Sequence, residues 1–331
     1  MKFTAHTLIK RILVMTVAAT LAAGCQCSGN HESNTAIVRY EQLLFDTPHD
    51  GLAEALVQFD NQFNSPLLNV APGDENFMNM LYDFVNDSTM RSIYNTTENK
   101  YPDLQWLEKE LAAAMSKAHK ANPEIEPYKV ATFVSGYFDY NNRLLCDRTS
   151  RTLVISLDQY ALQSFSQYSY FGLPMYIVEL SDSIYIATDI MAEIASQYIA
   201  TPAESNMTML DMMIAKGKML YFLDIVMPNK DDRLKIRYSE EQMEWMQDNE
   251  KNVWAYFIQH QLLFEKDFNR FHNFVDEAPK TNAFKDSAPR TTEYIGWQIV
   301  RNYMNNNKVS MQELFADTDS QSILAASKYK P

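Results

Sequence analysis

Residues 209–227, MLDMMIAKGKMLYFLDIVM, are apolar on nearly every side of the cylinder that a helix would trace. A surface helix carries one apolar stripe, but here only Asp211, Lys216, Gly217, Lys218 and Asp224 break the run. That is the pattern of a helix enclosed by other helices, and it predicts a central buried helix with the rest of the chain packed around it. At about 100° per residue, Asp211 and Lys218 fall within roughly 20° of each other while Lys216 points elsewhere. At least one of these charges needs its own partner or a route to solvent. Two readings stand for Lys216: it snorkels along the helix to water, or it marks an interior polar site.

The chain has 331 residues, of which 46% are hydrophobic, including 18 Phe, 19 Tyr and 18 Met, enough for a large core. Its 42 acidic residues outnumber 29 Lys and Arg, giving a net charge of −13 with no basic cluster, so nucleic acid is not an expected partner. There is no GxGxxG and no GxxxxGK[ST], and nucleotide chemistry has no support.

Residues 1–24 hold Lys2, Lys10 and Arg11, then the apolar run from Ile12 to Ala23, closing on Leu21-Ala22-Ala23-Gly24-Cys25. Such a sequence reads as a signal peptide cleaved before Cys25, the run being too short to cross about 30 Å of hydrocarbon comfortably. It resembles the bacterial lipoprotein signal, which implies that Cys25 is acylated and becomes the membrane anchor. Gln26 rather than Asp follows it, which in such lipoproteins is compatible with sorting to an outer membrane. Residues 25–36 form a polar tether, and residues 37–331 are expected to be a single domain. Cys27 and Cys146 are the other cysteines. A disulfide between them is allowed in an oxidising envelope, but Cys27 in the tether is poorly placed to hold one, and an inert, buried Cys146 is preferred.

Along the folded part, 37–45, 52–63, 77–85 and 90–94 read as helical, and Pro102 is expected to open a longer helix ending before Pro123. The period then changes. Residues 129–135 (KVATFVS) and 151–157 (RTLVISL) are rich in β-branched residues and predict two strands of a small sheet joined by a polar loop. Asp158 follows the second strand and is expected to cap a turn. Helices return from about Pro174. Residues 230–238 form a charged connector, and Ser239 with Gln242 has the spacing of a capping box. The last long helix, 291–305, contains Gly296, whose cost of about 1 kcal/mol relative to Ala predicts a close backbone approach there. Tyr294, Trp297 and Tyr303 lie on that helix as core or as a pocket lining. The fold class expected is α+β, mainly helical.

Chemistry-bearing motifs are scarce. His31, His49, His119, His260 and His272 show no zinc-helix spacing, and there is no GxSxG and no CxxC. Pairs of carboxylates are plentiful in so acidic a chain, and for that reason uninformative.

Several segments together, Ile37-Val38-Arg39-Tyr40, Pro102-Asp103-Leu104, Val130 to Ser135, Ile155 to Tyr160, Leu173-Pro174-Met175-Tyr176-Ile177, Gly296-Trp297-Gln298-Ile299-Val300 and the terminal Ser327-Lys328-Tyr329-Lys330-Pro331, resemble the gliding-motility lipoprotein GldB family. The resemblance implies an outer-membrane lipoprotein facing the periplasm. It would support assembly or stability of gliding and type IX secretion machinery through contacts with envelope proteins, without cofactor or known catalysis. Such proteins are also distantly similar to zincin-like peptidases with an H-E-x-x-H helix and a later ligand Glu in an E-G pair. The corresponding positions are Ala192, Glu193 and Ser196 for the first, and Lys216 before Gly217 for the second. Both imidazoles and the ligand carboxylate are missing, so zinc hydrolysis is not expected and the fold is read as degenerate zincin-like. Glu193 and Lys216 either face one another as an ion pair in place of the metal or are exposed and unrelated. The alternatives to a non-enzymatic lipoprotein are a ligand-binding one, with a pocket near Tyr294 and Trp297, and a metal-free hydrolase.

Overall fold

Fourteen α-helices and one four-stranded sheet are found among the residues described by the computed structural model, which are 36–67, 70–136, 142–165 and 172–331. Cys25 and Cys27 lie outside the described residues. The fold is mainly helical α+β, as the periodicity indicates.

The sheet has the order β1-β2-β4-β3. Strand β2 (Lys129–Phe133) runs parallel to β1 (Ile37–Arg39) on one side and to β4 (Thr152–Ser156) on the other, and β3 (Leu144–Asp147) pairs antiparallel with β4. Every residue of β4 is buried, which accounts for its unbroken apolar run TLVIS. Two expectations are corrected here. Residues 37–45 are not one helix: β-branched Ile37 and Val38 begin a strand, and helix α1 (Tyr40–Asp46) starts only after Arg39. The polar stretch between the two expected strands is not only loop, because it contains β3.

Helices α2 (His49–Phe63), α3 (Glu75–Asn86), α4 (Ser88–Lys100) and α5 (Gln105–Ala121) form the crossover from β1 to β2. Pro102 lies just outside α5 rather than in its first turn. The short α6 (Met175–Glu179) and then α7 (Ile186–Ser196) lead to the central helix α8 (Met209–Val226). It is followed by α9 (Asp232–Ile236), α10 (Glu240–Gln259), α11 (Phe268–Val275), α12 (Thr291–Asn306), α13 (Met311–Ala316) and α14 (Ser320–Ser327).

Helix α8 is enclosed over most of its surface, touching α5, α7, α9, α12, α13 and α14, with Lys216 and Ile225 left exposed. Three of its four interrupting charges are held within the fold, and the fourth, Lys216, is half-exposed. Asp211 closes a capping box with Thr208. The backbone N–H groups of Met209 and Leu210 donate to the carbonyls of Glu265 and Leu263, so the first turn is satisfied without water. Lys218, 2% exposed, donates to the carbonyl of Asp317. Asp224 accepts from Trp297 Nε1 at 2.9 Å and from Arg301 at 2.7 and 2.8 Å, with Lys235 at 2.8 Å.

Against α12 the central helix makes its closest approach. A Cβ on Gly217 would lie 2.2 Å from the carbonyl oxygen of Gly296, and a Cβ on Gly296 would lie 1.9 Å from that of Met213. The close approach expected at Gly296 is thus present, with Gly217 as its partner. Trp297 is fully buried and Tyr294 is buried, so of the two readings of these rings, core or pocket lining, they are core. The C-terminus is docked: Tyr329 is buried, its hydroxyl donates to Glu250 at 2.7 Å, and its ring meets Trp254 edge-on at 5.2 Å.

Candidate functional site

Where α7 and α8 meet α9 and the start of α12, the packing leaves a cavity of about 470 Å³. Helix α7 contributes Thr188, Asp189, Ala192, Glu193 and Ser196, and α8 contributes Lys216, Met219 and Leu220. Arg143 and Leu144 come from the β3 edge, Lys235 and Arg237 from α9 and its end, Val275 to Glu277 from the end of α11, and Arg290 and Glu293 from the start of α12. Ala192, Glu193, Ser196 and Lys216, the four positions that the peptidase resemblance singles out, therefore line one cavity.

Its floor is an ion cluster centred on Asp189. This carboxylate is ion-paired with Arg237 and, at 3.1 Å, with Arg143, and it accepts the Tyr160 hydroxyl at 2.9 Å. Burial alone would raise its pKa, but the two guanidinium groups outweigh it and hold the carboxyl below its usual range. The same burial, with the negative charge of Asp189, drives the Tyr160 phenol well above its ordinary value, so it stays a hydrogen-bond donor. Arg237 also donates to the Leu180 carbonyl at 2.7 Å and stacks over Tyr185 at 4.7 Å.

The opposite wall is organised by Arg290. It donates to Glu293 at 2.9 Å, pairs with Glu277 at 3.2 Å, and donates to the carbonyls of Ile236 and Arg237 at 2.8 and 3.1 Å. Burial raises the phenol pKa of Tyr238, which lies beneath Arg290 and donates to the Pro289 carbonyl at 2.6 Å. Both arginines have left-handed backbones, φ 61° at Arg237 and 45° at Arg290. Such backbones cost about 1–3 kcal/mol each and are kept only where surrounding contacts over-determine them. Arg237 ends α9 and Arg290 begins α12, so the two irregular residues aim two buried guanidinium groups at one space.

Glu193 and Lys216 are brought to the same cavity but are not ion-paired with each other. Lys216 pairs with Glu293 at 3.7 Å, with 48% of its side chain exposed. Glu193 accepts from Gln197 at 2.9 Å, one turn along α7. Behind α7, Cys146 on β3 is half-buried, its thiol pushed up to about 12 by burial and by Glu193. Among the described residues no three His, Cys, Asp or Glu side chains converge as a metal set. His260 packs its ring at a tilt against Tyr256, centroids 4.1 Å apart, and His272 contacts Asp276 at 3.1 Å. Asp158, expected as a turn cap, is instead fully buried. It accepts from the N–H groups of Ser135 and Gly136 at 3.0 and 2.9 Å, tying the ends of β2 and β4 together, and burial raises its pKa.

Sequence reasoning placed four positions of this cavity and missed the arginines. Residues 230–238 were legible only as a charged connector, and no local spacing shows that Arg237 reaches Asp189, 48 residues earlier. The available signal was compositional: a run of charges between two helices with apolar Leu234, Ile236 and Tyr238 interleaved.

Fold and site together define a mainly helical α+β protein with a charge-lined cavity at the junction of its central helices. A family model described as gliding motility protein GldB matches residues 26–331, and the chain belongs to that family. Membership ties it to gliding motility and to the cell envelope. No described helix is long and apolar enough to cross a membrane. No curated protein and no solved structure matches the chain.

Proposed function

We propose that this chain is a lipid-tethered, non-catalytic lipoprotein of the outer membrane, facing the periplasm, that supports assembly or stability of the gliding and type IX secretion machinery through protein contacts. Cys25 is its acylation site. The observation that carries the non-catalytic part is the ion pair of Lys216 with Glu293 at the position where a related peptidase would place a ligand carboxylate. An ammonium there opposes a divalent cation, and neither Ala192 nor Ser196 offers an imidazole to hold one. The buried ion cluster around Asp189 and the partly buried one around Asp224 tie neighbouring helices together, which suits a scaffold acting through contacts.

Deletion of the gene tests the reading. Loss of colony spreading and of type IX cargo in the medium is expected, with depletion of neighbouring envelope lipoproteins and no recovery by a C25A variant. Intact spreading and secretion in the deletion strain would remove the assembly role. Stoichiometric zinc in the purified protein, with casein cleavage abolished by a chelator, would remove the non-catalytic one.

A further inference from the structure

We infer that the cavity between α7 and α8 is a binding site for a small zwitterion of the amino acid or short peptide class, its ammonium held by Glu193 and its carboxylate by Lys216. This goes beyond the proposed envelope role and does not depend on it.

The argument starts from two charges that the fold leaves incompletely matched. Glu193 is half-buried on the cavity wall, and among the described residues its carboxylate accepts a hydrogen bond only from the neutral amide of Gln197. Lys216 faces the same cavity with three donor hydrogens and makes no hydrogen bond among the described residues. Its ion partner Glu293 is shared: the other carboxylate oxygen is held by Arg290 at 2.9 Å, against 3.7 Å to Lys216. Much of the Lys216 charge therefore stays available. The two groups come from packed helices and carry opposite signs, yet they do not close on one another, and a molecule with both charges spans the gap between them.

The surroundings are balanced in charge, with five acidic and five basic side chains on the lining, so a ligand carrying both charges suits the cavity better than a ligand of one sign. In a partly desolvated space each charge-assisted hydrogen bond is stronger than in water. The volume falls within the range of about 300–1,000 Å³ usual for small-molecule sites. The left-handed backbones of Arg237 and Arg290, maintained at a cost, put the irregular geometry at this cavity's wall.

Calorimetric titration of the purified full chain in detergent with trialanine, N-acetyl-trialanine and trialanine amide decides the matter. Trialanine is expected to bind, and blocking either end to weaken binding at least tenfold. In E193Q the penalty for acetylation should vanish while that for amidation remains, and in K216M the reverse. Circular dichroism confirms that both variants fold, and K216Q substitutes if K216M does not. No binding of trialanine at millimolar concentration overturns the assignment. So does binding indifferent to one or both end groups, or a pattern that the two substitutions leave unchanged.

Discussion

Gly217 and Gly296 lie back to back, so that helices α8 and α12 cross with backbone on backbone. Neither residue can gain a methyl group without striking a carbonyl of the other helix, at 2.2 Å in one case and 1.9 Å in the other. Both obstacles are main-chain atoms that cannot rotate aside, so the helices must separate. G217A or G296A gains about 1 kcal/mol of helix propensity and is still expected to lose about 3 kcal/mol net, at the upper end of overpacking costs. Because either methyl forces the same separation, the double variant should cost clearly less than the sum of the two. Urea unfolding followed by circular dichroism measures all three, and additive losses would mean that the two sites yield independently.

Lys218 is buried in the same helix with its ammonium against the Asp317 carbonyl, and burial pushes its pKa down to about 8. In the unfolded chain the group titrates near 10.5, so between about 8 and 10.5 the unfolded state binds more protons than the folded one. Stability owed to this residue therefore rises with pH across that window, by up to about 3 kcal/mol. Buried tyrosines with raised pKa values act in the opposite direction near pH 10, so the informative quantity is the difference between wild type and K218M. That difference should shift in favour of wild type between pH 7.5 and pH 10. Parallel profiles would show that Lys218 keeps an ordinary ammonium in the fold.

The terminal residues should matter more than their position suggests. Y329F removes a hydrogen bond to the Glu250 carboxylate and is expected to cost about 1.5 kcal/mol. Removing residues 329–331 also strips the ring from Trp254 and should cost more, exposing the indole. A red shift in tryptophan emission, with a lower midpoint in thermal unfolding, checks the second effect.

These elements differ in how far the sequence announces them. The central helix could be read because an apolar run of that length with few charges has no surface solution, and Gly296 because glycine within a helix needs a reason. The Ser239 capping box is local chemistry over four residues and is present as spaced, Ser239 accepting from the N–H of Gln242. Strand β1 escaped because three residues leading straight into a helix give no period to detect, and β3 because its pairing with β4 is settled by tertiary contact rather than by alternation. Gly217 showed as an interruption of the apolar run, but not as the partner of Gly296, since the two are joined only by the crossing of their helices. The ion clusters were the least visible part. A charged residue in sequence is read as solvated, and only the fold shows that Arg237 points inward at an acid 48 residues earlier and Arg290 at its neighbours Glu277 and Glu293.

Asp189 anchors that hidden cluster, and its removal should leave a pH signature in the acid range. D189N leaves Arg143 and Arg237 buried beside a neutral amide, a loss expected to be about 3–5 kcal/mol. Because the folded pKa lies below the unfolded value, the stabilisation is fully present above the unfolded value, near 3.9, and is lost as pH falls through the folded one. The gap between wild type and D189N is therefore full at pH 7 and narrows below about pH 4. Urea midpoints for both proteins at pH 7 and at pH 3.5 measure it. A gap that stays constant to pH 3.5 and below would mean that folded and unfolded Asp189 take up protons alike, so that the arginines do not depress its pKa. A gap absent at pH 7 would mean that the two arginines find other anions, and the cluster would then have no centre.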